Sequence, residues 1–121
     1  MNHKKRILHV DDEIDVLYLC QMFLEKNGYE VDTLTSCENL LEKVKSFAPD
    51  LILMDHHMPH ICGDEAIRLL KTESYSKNIP VIYFTAHVDR EELAIKIGAD
   101  AHLPKPFKLT AMIETVKRLI A

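Results

Sequence analysis

One stretch limits the fold more than any other part of the chain: Asp50-Leu51-Ile52-Leu53-Met54-Asp55-His56-His57-Met58-Pro59. Four apolar residues run unbroken from Leu51 to Met54 and end on a single acid, Asp55. A surface loop would expose all four, and a helix would be interrupted at Pro59, with Gly63 turning the chain soon after. The run is therefore a strand buried on both faces, as in a parallel sheet. Its carboxyl end is the edge at which open α/β sheets place their chemistry, so Asp55 is the first candidate functional residue.

The rest of the chain alternates around this strand. Arg6 to Val10 is a short apolar strand, and Asp12 to Asn27 reads as a helix closed by Gly28. Tyr29 to Leu34 is a second strand. Thr35 and Glu38 have capping-box spacing ahead of a helix with Leu40, Leu41, Val44 and Phe47 on one face, stopped by Pro49. After the Leu51 to Asp55 strand, a helix from about Gly63 to Thr72 carries Ala66, Ile67, Leu69 and Leu70. Pro80 introduces Val81 to Thr85, a strand rich in β-formers. Asp89 and Glu92 offer a second capping box for a helix that ends at Gly98. Ala101 to Leu103 is a brief fifth strand, and Leu109 to Ile120 a last helix with Met112, Ile113, Val116 and Ile120 inward. Five βα units in a row predict an α/β fold, a doubly wound five-stranded parallel sheet covered on both faces.

Bulk properties narrow the function. The 121 residues suit one domain with a full core, and 47% hydrophobic with 28% charged residues is an ordinary globular balance. A formal net charge of -4 gives no support to a nucleic-acid surface. Cys20, Cys37 and Cys62 are odd in number and lack metal-type spacing, so they read as reduced thiols of a cytoplasmic protein. No apolar run reaches membrane-spanning length. The basic start, Met1 to Arg6, leads only into Ile7 to Val10 and then Asp11-Asp12-Glu13, which argues against an export signal.

In a doubly wound sheet the ends of strands one, three, four and five share a rim. Here they carry Asp11 and Asp12, Asp55, Thr85 and Lys105. Each residue taken singly has a plain structural reading: a helix cap, a turn, a solvated lysine. Together they make a chemical set. Three aspartates repel one another and need counter-charge, which one hard divalent cation and one lysine supply. Such a pocket accepts a phosphoryl group on a carboxylate, with the metal and ammonium holding its oxygens and Thr85 hydrogen-bonding to one of them.

With these pieces in place, the sequence resembles the receiver domain of two-component response regulators along its whole length, residues 1–121. The matching segments are Val10-Asp11-Asp12-Glu13, Leu51 to Asp55 with Met58-Pro59 and Gly63, Phe84-Thr85-Ala86, Gly98-Ala99-Asp100-Ala101 and Pro104-Lys105-Pro106-Phe107, in order. The resemblance implies a flavodoxin-like (βα)5 sheet of order 2-1-3-4-5. It also implies that Asp55 is the phosphoacceptor, charged by a histidine kinase or histidine phosphotransfer protein. Mg²⁺ (or Mn²⁺) would be bound directly by Asp12, through water by Asp11, and by Asp55 and the backbone carbonyl of His57. Thr85 would be the switch hydroxyl, and Lys105, after an expected cis Lys105–Pro106 bond, would contact the phosphoryl group. The product is a switch that takes phosphate from small donors and loses it by itself, not an enzyme acting on other substrates. Its effector would be a protein, with no direct contact to nucleic acid or membrane. The chain would be a monomer or a phosphorylation-dependent dimer, with its output face on the helix before the fifth strand, that strand and the last helix.

Some residues depart from the family pattern. His102 stands where Tyr or Phe usually serves as a rotating switch, so pH-sensitive or weakened coupling is expected. His57 and His87 occupy variable positions that tune how long the phosphoryl group survives. A transition-metal site at His56, His57 and His60 is disfavoured because neighbouring strand residues point to opposite sides. His9, inside the first strand, reads as a core histidine. On the first helix Val16, Cys20, Phe23 and Leu24 turn to the core, leaving Ile14, Tyr18 and Met22 as a second apolar stripe, read as the phosphodonor contact. Two other readings stay open at this point. An aspartate-nucleophile phosphatase would need a second Asp two residues after its nucleophile on the first strand, a spacing Asp11-Asp12-Glu13 lacks. A phosphorylation-independent interaction module would have no use for the intact acid, Thr and Lys set.

Overall fold

The structure, a computed structural model, describes residues 4–55, 63–74, 76–85, 99–104 and 107–120. The strands are β1 (Arg6–Val10), β2 (Glu30–Leu34), β3 (Leu51–Asp55), β4 (Val81–Thr85) and β5 (Ala101–Pro104). The helices among the described residues are α1 (Ile14–Lys26), α2 (Leu40–Phe47), α3 (Gly63–Thr72) and α4 (Leu109–Ile120). All strand pairs are parallel, in the order β2-β1-β3-β4-β5. This is the doubly wound five-stranded sheet expected from the alternation, and β3 has the bounds read from the sequence.

Alternation along the strands divides the core in two. Leu8 and Val10 of β1, Ile52 and Met54 of β3, and Val81 and Tyr83 of β4 pack with Leu40 and Val44 of α2 and Leu70 of α3. Ile7 of β1, Leu51 and Leu53 of β3, and Ile82 and Phe84 of β4 pack on the other face. There they meet Cys20 and Leu24 of α1 and Met112, Ile113 and Val116 of α4. All five residues of β3 are buried. Its four apolar side chains, fully excluded from water, stabilise the fold by about 1.5–3 kcal/mol each. Burying the carboxylate of Asp55 costs several kcal/mol without a partner charge. The strand can carry that cost and still favour folding, so a buried acid at its end is compatible with a stable sheet.

Gly28 sits at φ +93, and nothing lies near the place a Cβ would occupy, so backbone conformation alone selects glycine there. The Gly28 N–H donates to the Glu25 carbonyl at 3.1 Å and the Tyr29 N–H to the Leu24 carbonyl at 3.2 Å. These two bonds close α1 in a Schellman turn and drop the chain into β2.

Several boundaries differ from the sequence reading. Helix α1 starts at Ile14, not Asp12, because the Asp11 carboxylate accepts the Glu13 N–H at 2.9 Å and holds the chain in a turn. The Thr35 capping box does not form. Residues 35–39 are bends and turns, the Ser36 hydroxyl accepts the Glu38 N–H at 3.4 Å, and α2 begins at Leu40 without a side-chain cap. β2 starts at Glu30 rather than Tyr29, and β5 runs one residue further, to Pro104, which pairs with Thr85. On α1, Leu17 joins the buried face and Leu19 stands exposed. The helix expected between Asp89 and Gly98 and the Lys105–Pro106 bond lie outside the described residues.

Candidate functional site

The site begins with strand register. Val10 of β1 pairs with Met54 of β3, so Asp11 and Asp55 follow side by side at the carboxyl rim. Both are buried, Asp11 at 0% and Asp55 at 1% exposure. Asp12 and Glu13, at the turn into α1, are exposed above them. One carboxylate oxygen from each of Asp11, Asp12, Glu13 and Asp55 lies within 4.8 Å of all the others. The Asp11 N–H donates to the Leu34 carbonyl at 3.0 Å, which ties this turn to the end of β2.

Like charges at that spacing repel by roughly 3–4 kcal/mol per pair at the effective dielectric of a protein surface. A cation placed among them would offset that repulsion. Among the described residues, every donor in the cluster is a carboxylate oxygen. That set fits a hard divalent cation, Mg²⁺ or Mn²⁺, whose remaining positions are filled by water. Sequence reasoning passed over Glu13 as a member. The available signal was its place as the third consecutive acid at a strand-to-helix junction.

Thr85 is the last residue of β4, at the same rim two strands from Asp11; its side chain, with His56, His57, His60, His87 and Lys105, lies outside the described residues. His102, on β5, pairs with Tyr83 and is half-buried. It lines a surface groove of about 460 Å³ with Asp100 and, from α4, Thr115 and Arg118. Ile14, Tyr18 and Met22 of α1 are exposed at 69%, 68% and 46%. His9 is fully buried in β1, its ring edge-on to Phe84 at 5.6 Å. Cys20 is buried and Cys37 half-buried. No described helix is long and apolar enough to cross a membrane.

A parallel sheet in the order 2-1-3-4-5 with an acidic pocket at its carboxyl rim is an arrangement found in phosphorylatable signalling switches. The chain belongs to the response regulator receiver domain family, whose sequence pattern matches residues 7–117. It is 34% identical over 122 residues to the phosphate regulon transcriptional regulatory protein PhoB of Klebsiella pneumoniae, covering 97% of this chain and 53% of PhoB. It is 32% identical over 117 residues to the response regulator SaeR of Staphylococcus epidermidis, covering 95% of this chain and 50% of SaeR. The chain thus spans about half the length of these curated relatives. Among solved structures, the chemotaxis response regulator CheY4 of Vibrio cholerae superposes with a TM-score of 0.90 at 27% identity, covering 97% of this chain and 99% of CheY4. A response regulator from Chloroflexus aurantiacus superposes with a TM-score of 0.92 at 25% identity, covering 98% of each chain.

Proposed function

We propose that Asp55 is the phosphoacceptor of this receiver domain, charged by a histidine kinase or a histidine phosphotransfer protein. The observation that carries the reading is a buried carboxylate at the end of β3 inside a cluster of four carboxylates within 4.8 Å. A bound divalent cation supplies charge neutralisation and holds oxygens of the incoming phosphoryl group. Asp12 and Asp55, with the His57 backbone carbonyl, would hold it directly; Asp11 would act mainly through water, and exposed Glu13 would add negative charge at the mouth. An Asp55 carboxylate oxygen attacks phosphorus as the bond from phosphorus to the donor imidazole nitrogen breaks. The imidazole leaves with its electron pair and takes up a proton, and Asp55 becomes an acyl phosphate. Lys105 balances charge on the transferred group, and Thr85 donates its hydroxyl to a phosphoryl oxygen.

The acyl phosphate is the signal. Its formation draws Thr85 toward the rim and alters the face around β5 and α4, which a protein effector reads. His102 takes the place of the aromatic switch there, while His57 and His87 set how long the acyl phosphate lasts. Ile14, Tyr18 and Met22 form the contact for the phosphodonor. We assign the whole of residues 1–121 to this domain, acting in the cytoplasm as a monomer or phosphorylation-dependent dimer. The test is chemical: incubation with a small acyl phosphate and Mg²⁺ yields phosphoprotein that neutral hydroxylamine releases. Label that resists hydroxylamine, or appears equally in EDTA, contradicts the reading.

A further inference from the structure

We propose that His9 is a positioning residue for the Asp11 carboxylate, and that it thereby sets the affinity of the acidic pocket for its divalent cation. The proposal rests on the metal reading above and adds a residue from within the sheet. His9 has no exposure to solvent, and neither of its ring nitrogens has a hydrogen-bond partner among the described residues. Its surroundings are otherwise suited to an apolar side chain. It pairs in register with Leu53 on one side and Thr33 on the other, and its ring meets the edge of Phe84. The remaining core positions of β1 are Ile7, Leu8 and Val10. A buried polar group without a hydrogen bond is destabilising, so packing alone does not explain a histidine here.

Geometry supplies an explanation. His9 Nε2 lies 3.7 Å from Asp11 Oδ2, while Asp11 Oδ1 accepts the Glu13 N–H at 2.9 Å. An imidazole always carries at least one ring N–H. A shift of well under 1 Å brings that donor into hydrogen-bonding range of Oδ2. The carboxylate is then steadied from both sides, by the backbone of the turn on one oxygen and by His9 on the other. Each oxygen keeps a further lone pair for a metal-bound water. The ring itself cannot swing away, because Phe84 sits edge-on to it and is stacked in turn on Phe107 at 4.5 Å. Groups that hold metal-binding carboxylates in this manner raise affinity about 10–100-fold.

The experiment measures Mn²⁺ binding to the full chain by the electron paramagnetic resonance signal of the free ion. The proposal expects His9→Leu, which fills the same core space, to weaken Mn²⁺ binding about 10–100-fold. His9→Gln, which restores an N–H donor near the Nε2 position, recovers most of the loss. In an Asp11→Asn background His9→Leu causes no further weakening, because the two residues act through one carboxylate. Phosphorylation of His9→Leu returns toward the wild-type rate at saturating Mn²⁺. Binding by His9→Leu within twofold of wild type, or equal weakening in Leu and Gln variants, overturns the proposal and leaves the metal reading intact. Absence of Mn²⁺ binding by the wild-type chain overturns the metal reading, and this inference with it.

Discussion

Asp11 and Asp55 are neighbours because Val10 and Met54 are register partners on adjacent parallel strands. Neither acid needs its partner nearby in sequence, and the sheet brings them within 4.8 Å. A site built this way stores repulsion that folding must overcome. Asp55→Asn removes one charge from the cluster and is expected to raise metal-free stability by about 1–3 kcal/mol. For a domain of this size that is a rise in Tm of roughly 4–12 °C. Thermal unfolding with and without Mg²⁺ checks it: the cation should raise the wild-type Tm and leave the variant nearly unchanged. A variant less stable than wild type in EDTA would show that the buried carboxylate is a net stabilising group.

The fold was legible where the pattern was strong. Leu51 to Asp55 and Val81 to Phe84 are short buried runs, and both strands have the limits read from the sequence. Gly28 was legible because only its backbone freedom matters. The helix starts were not, because capping chemistry competes with other local uses of the same side chains. Asp11 spends an oxygen on the Glu13 N–H, and Ser36, not Thr35, captures the turn before α2. Glu13 escaped notice as a member of the acidic cluster for a related reason. A periodic pattern assigns it to a helix, while the turn lifts it over the pocket.

Asp100 joins two elements that the rim depends on. Its Oδ2 accepts the Val81 N–H at 2.8 Å and the Lys71 ammonium at 2.8 Å, and Lys71 also donates to the Ile79 carbonyl at 2.9 Å. Asp100→Ala strands a backbone donor at the start of β4 and is expected to cost about 2–3 kcal/mol. Lys71→Met removes bonds from a partly solvated ammonium and should cost about 1 kcal/mol. Urea unfolding of the two variants checks the order, and an equal or reversed order contradicts it.

Tyr29 is buried between α1 and β2, and burial holds its hydroxyl above the usual tyrosine value of about 10. The folded state therefore keeps this proton at pH values where the unfolded chain releases it. The stability it contributes is complete below about pH 10 and is lost as pH rises toward the folded value. Tyr29→Phe should flatten the alkaline limb of the stability profile and leave the acid limb untouched. Identical alkaline limbs would contradict the assignment.

The exposed stripe on α1 can be separated from the pocket by choice of phosphodonor. Tyr18→Glu with Met22→Glu changes side chains that are 68% and 46% exposed, so stability should move by no more than about 0.5 kcal/mol. Transfer from a histidine kinase or phosphotransfer protein should slow at least tenfold, while labelling by a small acyl phosphate stays at the wild-type rate. Equal loss with both donors would place the effect in the pocket and not at the docking surface.

Asp55 takes the phosphoryl group in the proposed reaction. Intact-mass measurement after incubation with Mg²⁺ and a small acyl or amido phosphate tests it most directly, with wild type and Asp55→Asn side by side. The wild type should gain the mass of one phosphoryl group, Asp55→Asn none, and neither should gain it in EDTA. A phosphoryl group on Asp55→Asn at the wild-type level would contradict it.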